Sequence, residues 1–334
     1  MKKTLLALAI TSLLPAAAFA DVTVYGKANV SLQGTDEASY SSANGNQADG
    51  SKVELLSNAS RIGVKGGEEV NSKLKVIYQF EYQTEVDDGT GGGQTFAQRN
   101  IYLGLQGIAG TLMGGHFDTP TKVAQEKIDL FNDLEGDITH IFKGEIRASN
   151  IVQYVSPTFG GGFSGSVAYV TEETDGVTKQ NNPATVDTSS GVSASFGYNS
   201  SAFYVGVAAD QDVEANGVDL IRLVGRLTLG AFQFGLLGES YDNDNTGVDD
   251  EGFVGSAMWN MTDKWALKAQ YGDSDVRWID SKSASLGLDY KMTKSATLYG
   301  YYTKVENGVT DVMEPTLDNY RDDDYVGVGL DYKF

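Results

Sequence analysis

Cysteine is absent from the 334 residues, histidine occurs only at His116 and His140, and proline occurs only five times. Without cysteine there is no disulfide framework and no thiolate ligand. Cys/His metal sites are excluded, and an exported chain must hold together by packing and hydrogen bonds alone. Positive charge is scarce too: 25 Lys and Arg stand against 45 Asp and Glu, a formal net charge of −20. Such a chain lacks the basic surface that nucleic-acid phosphates require. Beyond the N-terminus no run of about 18 apolar residues occurs, which removes a membrane-spanning helix. Catalytic signatures are missing as well. Phe163-Ser164-Gly165-Ser166 lies on an alternating strand rather than a strand-to-helix elbow, and Gly89-Thr90-Gly91-Gly92-Gly93 has no Lys-Ser/Thr after it. No catalytic residue, metal or cofactor is expected, and the chain does not read as an enzyme.

What is present begins with Met1 to Ala20. Lys2 and Lys3 precede an apolar core from Leu5 to Leu14, Pro15 breaks it, and Ala18 and Ala20 flank Phe19. This is the pattern of a secretory signal peptide (residues 1–20), so the mature chain is expected to start at Asp21 with a formal charge of about −22. An exported chain without a spanning helix is periplasmic, secreted or a membrane β-barrel.

From Val22 to Phe334 apolar and polar residues alternate in runs of about ten, the period of strands with one apolar and one wet face. Sixteen such runs can be counted, joined alternately by long polar connections and short turns. The long ones fall at 34–52, 87–94, 118–146, 171–190, 211–217, 242–250, 273–281 and 306–323. Long loops on one rim and short turns on the other characterise outer-membrane barrels. The last strand sets Val326, Val328, Leu330, Tyr332 and Phe334 against Gly327, Gly329, Asp331 and Lys333, and aromatics such as Phe163, Tyr198, Phe232, Trp259, Trp265 and Tyr290 gather at strand ends. The reading is all-β: a 16-stranded antiparallel transmembrane β-barrel, one domain over residues 21–334, closed so that every edge is paired.

Two stretches break the pattern. In Phe96 to Gln106 the face carrying Arg99 also carries Ile101, Leu103 and Leu105, so alternation is nearly lost. A strand apolar on both faces must be covered on both. From Gly114 to Asn150 alternation stops altogether. Ile128, Leu130, Phe131, Leu134 and Ile138 are apolar there, and Glu126, Asp129, Asp133, Glu135 and Asp137 are acidic. A connection this long is usually functional; this one is expected to fold into the lumen, its apolar side against a wall, with residues 118–146 setting the bore. Tyr25, Tyr299 and Tyr301 have inward parity, where packing under loops is preferred over a sugar-stacking path.

Ser60-Arg61-Ile62-Gly63-Val64-Lys65-Gly66 with Glu68-Glu69, then Leu74 to Glu81, Arg99 to Leu105, Gly110 to Gly115, Arg147 to Pro157 and the terminal Phe334 form an ordered set over essentially the whole mature length. In that order they resemble the trimeric general diffusion porins of Gram-negative outer membranes. The resemblance implies a passive, water-filled channel for ions and small hydrophilic solutes, exported to the outer membrane among its lipid and lipopolysaccharide and assembled as a homotrimer. Its alternatives are a substrate-preferring porin of the same fold, or a plugged barrel serving as adhesin or enzyme. It also implies an inward third loop whose acids (Glu126, Asp129, Asp133, Glu135, Asp137) face a basic wall of Arg61, Arg99 and Arg147, with Lys65 beside Arg61, and Phe334 as the aromatic read during assembly. Each Arg is either a lining group or a tether for the loop. Acidic outer loops such as 242–251 and 322–324 favour cations at the mouth.

Overall fold

The protein is seen as a computed structural model, which describes residues 21–41, 46–49, 51–87, 96–172, 190–278, 280–307 and 322–334. The signal-peptide reading of 1–20, the Gly89 to Gly93 run and most of the connections expected at 87–94, 171–190 and 306–323 lie outside those residues.

Among the described residues, eighteen strand segments form one closed sheet. They are β1 (Thr23–Ser41), β2 (Asn46–Asp49), β3 (Lys52–Ser57), β4 (Arg61–Asn71), β5 (Leu74–Thr84), β6 (Phe96–Gly107), β7 (Gly110–Asp118), β8 (Arg147–Val155) and β9 (Phe163–Val170), followed by β10 (Gly191–Asn199), β11 (Phe203–Gln211), β12 (Val218–Leu229), β13 (Phe232–Asn243), β14 (Val248–Asn260), β15 (Trp265–Ser274), β16 (Ser281–Lys291), β17 (Ala296–Glu306) and β18 (Asp322–Lys333). β2, β3 and β4 are successive pieces of one stave, all paired antiparallel with β1, so the barrel has 16 staves. The break between β3 and β4 is a local bulge at Asn58 to Ser60, where Ala59 takes φ 49°. β1 pairs with β18 from Lys27↔Lys333 to Glu37↔Asp323 and closes the ring. Closure leaves no open edge, the condition for a sheet in hydrocarbon.

Long and short connections alternate as expected, with two corrections. The connection read at 34–52 is mostly strand, because β1 runs on to Ser41 and pairs with β2; the one read at 242–250 shrinks to the turn between Asn243 and Val248. Alternation governs the faces: Val326, Val328, Leu330 and Tyr332 of β18 are exposed, whereas Asp323 and Tyr325 on its opposite parity are buried. At the short-turn ends, aromatic pairs such as Phe163–Tyr198 (edge to face), Phe232–Trp259 (stacked) and Trp265–Tyr290 (tilted) pack along the outer surface, the interfacial girdle of a membrane barrel.

β6 does not have two apolar faces. Its register with β5 slips by one between Phe80↔Ile101 and Tyr82↔Gln98, so Arg99 and Asn100 together oppose Glu81. This bulge turns both inward and hands Ile101, Leu103 and Leu105 to the outside, where Leu103 and Leu105 are exposed. A parity count through Arg99 misses it, because one extra residue reverses every later face.

Inside, the inward parity is not uniformly polar. Leu220 and Val224 of β12, Leu237 and Tyr241 of β13 and Val254 of β14 are buried, and Tyr299, Tyr301 and Val305 of β17 form a second apolar patch with Tyr325 of β18. What buries both patches is the β7–β8 connection.

Candidate functional site

After Asp118 the chain leaves the sheet. Thr119 caps a short helix α1 (Pro120–Ala124), its hydroxyl oxygen accepting from Lys122 N, and Pro120 sits at the first turn, where no amide proton is needed. Asp137 caps a 3₁₀ turn at Ile138–His140, its Oδ1 accepting from Thr139 N at 2.9 Å. Between and after these caps, Ile128, Phe131, Ile138, Ile141 and Phe142 are at most 1% exposed. All but Phe131 pack with the β12–β14 patch, and Phe131 packs with the Tyr299, Tyr301 and Tyr325 patch alongside Leu130 and Leu134. Tyr299 and Tyr301 thus lie beneath the connection, donating to Asn29 Oδ1 at 2.5 Å and to Gln33 Oε1.

The connection is pinned by polar staples as well. Gln270 Oε1 accepts from Leu130 N at 2.8 Å, and Gln270 Nε2 donates to Gly136 O at 2.9 Å. Arg222, with no exposed side-chain surface, donates to Glu239 at 2.6 Å and to Glu145 at 2.6 Å. Arg226 reaches Glu126 at 3.5 Å, and Asn199 Nδ2 donates to Glu126 Oε1 at 2.9 Å.

Opposite the docked side an open cavity of about 410 Å³ remains between the connection and staves β4 to β8. Four cations line it (Arg61, Arg99, Lys122, Arg147) together with six acids (Glu81, Asp118, Glu126, Asp133, Asp137, Glu145). The three arginines named from the sequence therefore meet at one cavity, but with different partners. Arg61 is 3.6 Å from Asp133, whose Oδ2 also takes a 2.6 Å bond from Lys27. Arg99 turns to the wall, donating to Glu81 at 3.1 Å and Gln83 at 2.8 Å. Arg147 pairs with Asp118 at 2.9 Å and donates to Asn100 at 3.0 Å. Lys65 is elsewhere: its ammonium sits 5.0 Å over the Tyr25 ring, and Tyr25 donates to Glu81.

The five acids of the connection named from the sequence separate by task. Asp133 and Glu126 meet cations of the wall. Asp137 lines the cavity but gives both oxygens to local groups, Oδ2 accepting from Asp133 N at 2.8 Å. Asp129 is a scaffold group: Oδ1 accepts from Phe131 N and Gln270 Nε2, and Oδ2 from Ile138 N. Burial pushes its carboxyl well above the usual carboxylate range, and neighbouring Asp137 pushes the same way. Glu135 lies 3.6 Å from His140. Neither Asp129 nor Glu135 lines the 410 Å³ cavity. His116 bonds Ser149 at 2.9 Å. Phe334 is exposed against Tyr332, its backbone exchanging hydrogen bonds with Gly26.

Lys27, Glu81, Asp118 and Arg222 were not singled out from the sequence. Lys27 is the direct register partner of Arg61, a like-charge juxtaposition that calls for a shared anion, and that anion is Asp133. Arg222 stands between Leu220 and Val224 on the inward parity of β12. An apolar inward pair on a barrel strand signals that something covers it.

A closed barrel of 16 staves with an apolar belt, an aromatic girdle and a charged interior defines an outer-membrane β-barrel. The family model of the Gram-negative porin matches residues 4–310. Major outer membrane protein P.IB of Neisseria gonorrhoeae is 35% identical over 185 residues, 53% of this chain and 50% of that protein; P.IA of Neisseria meningitidis serogroup B is 34% identical over 190 residues, 51% and 47%. The chain thus spans about half the length of the curated relatives it matches. The fold is that of the anion-selective porin from Comamonas acidovorans (TM-score 0.72, 20% identity, 95% of this chain and 100% of that one) and of OmpF of Salmonella typhi in complex with daunomycin (0.69, 17%, 94% and 98%). The chain belongs to the Gram-negative porin family, and it is a protein of the outer membrane.

Proposed function

We propose that the chain is a non-enzymatic, water-filled pore through which ions and small hydrophilic solutes diffuse passively, with residues 118–146 as its constriction. The observation that carries this reading is the 410 Å³ cavity in which Arg61, Arg99 and Arg147 of the staves face Glu126, Asp133 and Asp137 of the connection, with Glu81 and Asp118 among the staves and Lys122 on the connection. Opposed charges across a narrow wet gap set up a transverse field that favours polar solutes and biases ion choice. Arg61, Arg99 and Arg147 are the basic wall; Glu126, Asp133 and Asp137 are the facing acids. With six acids against four cations at the cavity and acids such as Asp249 to Glu251 and Asp322 to Asp324 at the long-connection ends of β14 and β18, the pore prefers cations.

A homotrimer is part of the reading. A solved neighbour, OmpT of Vibrio cholerae, is described in a trimer form. The girdle here also thins out on one side: the short-turn ends of β5 to β7 show Leu105, Ile108 and Leu112 exposed where the later staves carry aromatics. An aliphatic gap in an aromatic belt suits protein rather than the lipid interface. On the lipid side the contacts are outer-membrane lipid and lipopolysaccharide, export uses residues 1–20, and Phe334 serves as the terminal aromatic of assembly.

Planar-bilayer recording tests the pore. Stepwise conductance in threes without saturable block is expected; block by one solute class would make it a substrate-preferring porin, and no conductance from folded protein would make it a plugged barrel. Replacing Arg61 and Arg99 by Gln together should move the reversal potential in a salt gradient further toward cations, since Glu81 and Asp133 then face the gap with fewer counter-charges. An unchanged potential would sink the lining assignment.

A further inference from the structure

Among the described residues, the largest fully buried side chain is a charged one, Arg222. It does not line the cavity and has no part in the field across it. Its five donors nevertheless gather two stretches of the connection that are far apart in sequence. NH1 donates to Thr121 O at 3.3 Å on the outgoing limb and to Glu145 Oε1 at 2.6 Å on the returning limb; NH2 donates to Lys143 O at 2.8 Å. Nε and NH2 hold Glu239 Oε2 of the next stave at 2.8 and 2.6 Å, and Glu239 Oε1 accepts from Lys143 N at 3.1 Å. The backbone is shaped around the guanidinium: Gly144 takes φ 73°, and a Cβ there would stand 3.0 Å from NH2. Thr121 is fastened a second time, through its hydroxyl to Asp210 at 2.5 Å.

We infer that Arg222 is the positioning residue of the constriction, a clamp inside the wall that sets the width of the bore without touching the solute path. This rests on residues 118–146 being the constriction. A guanidinium presents five donors in a fixed planar fork, so one residue holds two limbs and a wall carboxylate in a single geometry; an ammonium would satisfy one or two of them. The bore-lining cations are different in kind, each pairing with one or two groups at a wet surface. Removing Arg222 leaves Glu145 and Glu239 buried together with only the Lys122 ammonium, bonded to the Glu145 carbonyl at 3.3 Å, acting on Glu145. That arrangement is strongly unfavourable, and it is relieved by freeing the returning limb, because Glu239 is fixed in the sheet.

The test uses Arg222→Met and the charge-balanced triple variant Arg222→Met/Glu145→Gln/Glu239→Gln, folded as the full mature barrel and checked by heat-modifiable gel mobility. Two readouts are taken. Amide exchange of residues 121–145 should speed by on the order of 100-fold in Arg222→Met while the strands stay protected. Single-channel conductance and the size of excluded polymer should rise with added open-channel noise. Arg222→Lys should restore only part of either. The triple variant separates clamp from charge: recovery of parental exchange and conductance there, without the guanidinium, would overturn the assignment, as would parental values in Arg222→Met. If the parent barrel conducts nothing, the channel reading fails, and the exchange experiment still decides whether Arg222 fastens the connection.

Discussion

The interior of this barrel has a dry half and a wet half. Along β12 to β17 the inward side chains include Leu220, Val224, Leu237, Val254, Tyr299 and Tyr301, covered by Ile128, Phe131, Ile138 and Phe142, with Arg222, Glu239 and Gln270 bonded beneath the same cover. Along β1 and β4 to β8 they include Lys27, Arg61, Glu81, Arg99, Asn100 and Arg147, facing a cavity or sharing carboxylates, beside a small buried cluster of Phe117, Ala148 and Ile151. Both halves have the same backbone and the same alternation with an apolar exterior. The difference teaches that inward parity does not choose polarity; what lies across the lumen does. Where the β7–β8 connection docks, apolar burial stabilises, and where it stands off, charge is hydrated and pairs across the gap.

That contrast is breakable in stages. The largest effect is expected from Phe131→Ala on the dry side: loss of a fully buried ring should cost the docked connection about 3–5 kcal/mol, read as loss of exchange protection over residues 119–146. Val123→Ala, on the exposed side of α1, should change it by no more than ~0.5 kcal/mol; equal effects would erase the two-halves distinction. Next comes the junction of the halves. Asp133→Asn leaves Lys27, almost wholly buried, without its carboxylate, which should cost about 1–3 kcal/mol and move the reversal potential toward anions. A cation-ward or null shift would remove Asp133 from the bore.

A smaller effect follows from Asp129. A carboxyl held above its ordinary value of 3.8 binds its proton more tightly in the folded chain than in the unfolded one. Its contribution is fully present below about pH 3.8 and is lost as pH rises through the folded value. Docking of residues 129–138, measured as exchange protection corrected for intrinsic rates, should therefore strengthen as pH falls from neutral toward 4, and Asp129→Asn should flatten that slope. The smallest effect is assigned to Lys65→Gln: the ammonium lies over Tyr25 away from the cavity, so conductance and selectivity should hold and stability should move by ~0.5 kcal/mol or less.

Much of the fold was legible because a transmembrane sheet writes its period into every stave; Val326 to Phe334 alone shows both faces. The docking side of the connection was legible too, since Ile128, Phe131 and Ile138 had no strand to belong to and needed a wall. The charged site was legible only by position. Arg61, Arg99 and Arg147 were found, but their partners were not, because pairing depends on register. Asp133 meets Lys27 across 106 residues, and nothing local distinguishes it from Asp129, which spends its oxygens on the turn around it. Arg222 escaped notice because an Arg in an alternating strand reads as pore lining, and only its apolar neighbours Leu220 and Val224 signalled cover.

The extra residue in β6 acts as a dislocation in the lattice of the sheet, one of several beside those at Asn58 to Ser60 and between Gly115 and Phe117. A pleated strand offers one inward side chain every second residue, a linear density that no choice of amino acids can raise. At the dislocation two neighbours, Arg99 and Asn100, share one rung with Glu81, and from that rung one reaches Glu81 and the other reaches Asp118 and Arg147. The height at which Arg99 and Asn100 join the charged groups is thus a property of where the backbone slips. Sliding the extra residue two places along β6 would move that doubled rung about 7 Å along the strand, away from Glu81, Asp118 and Arg147.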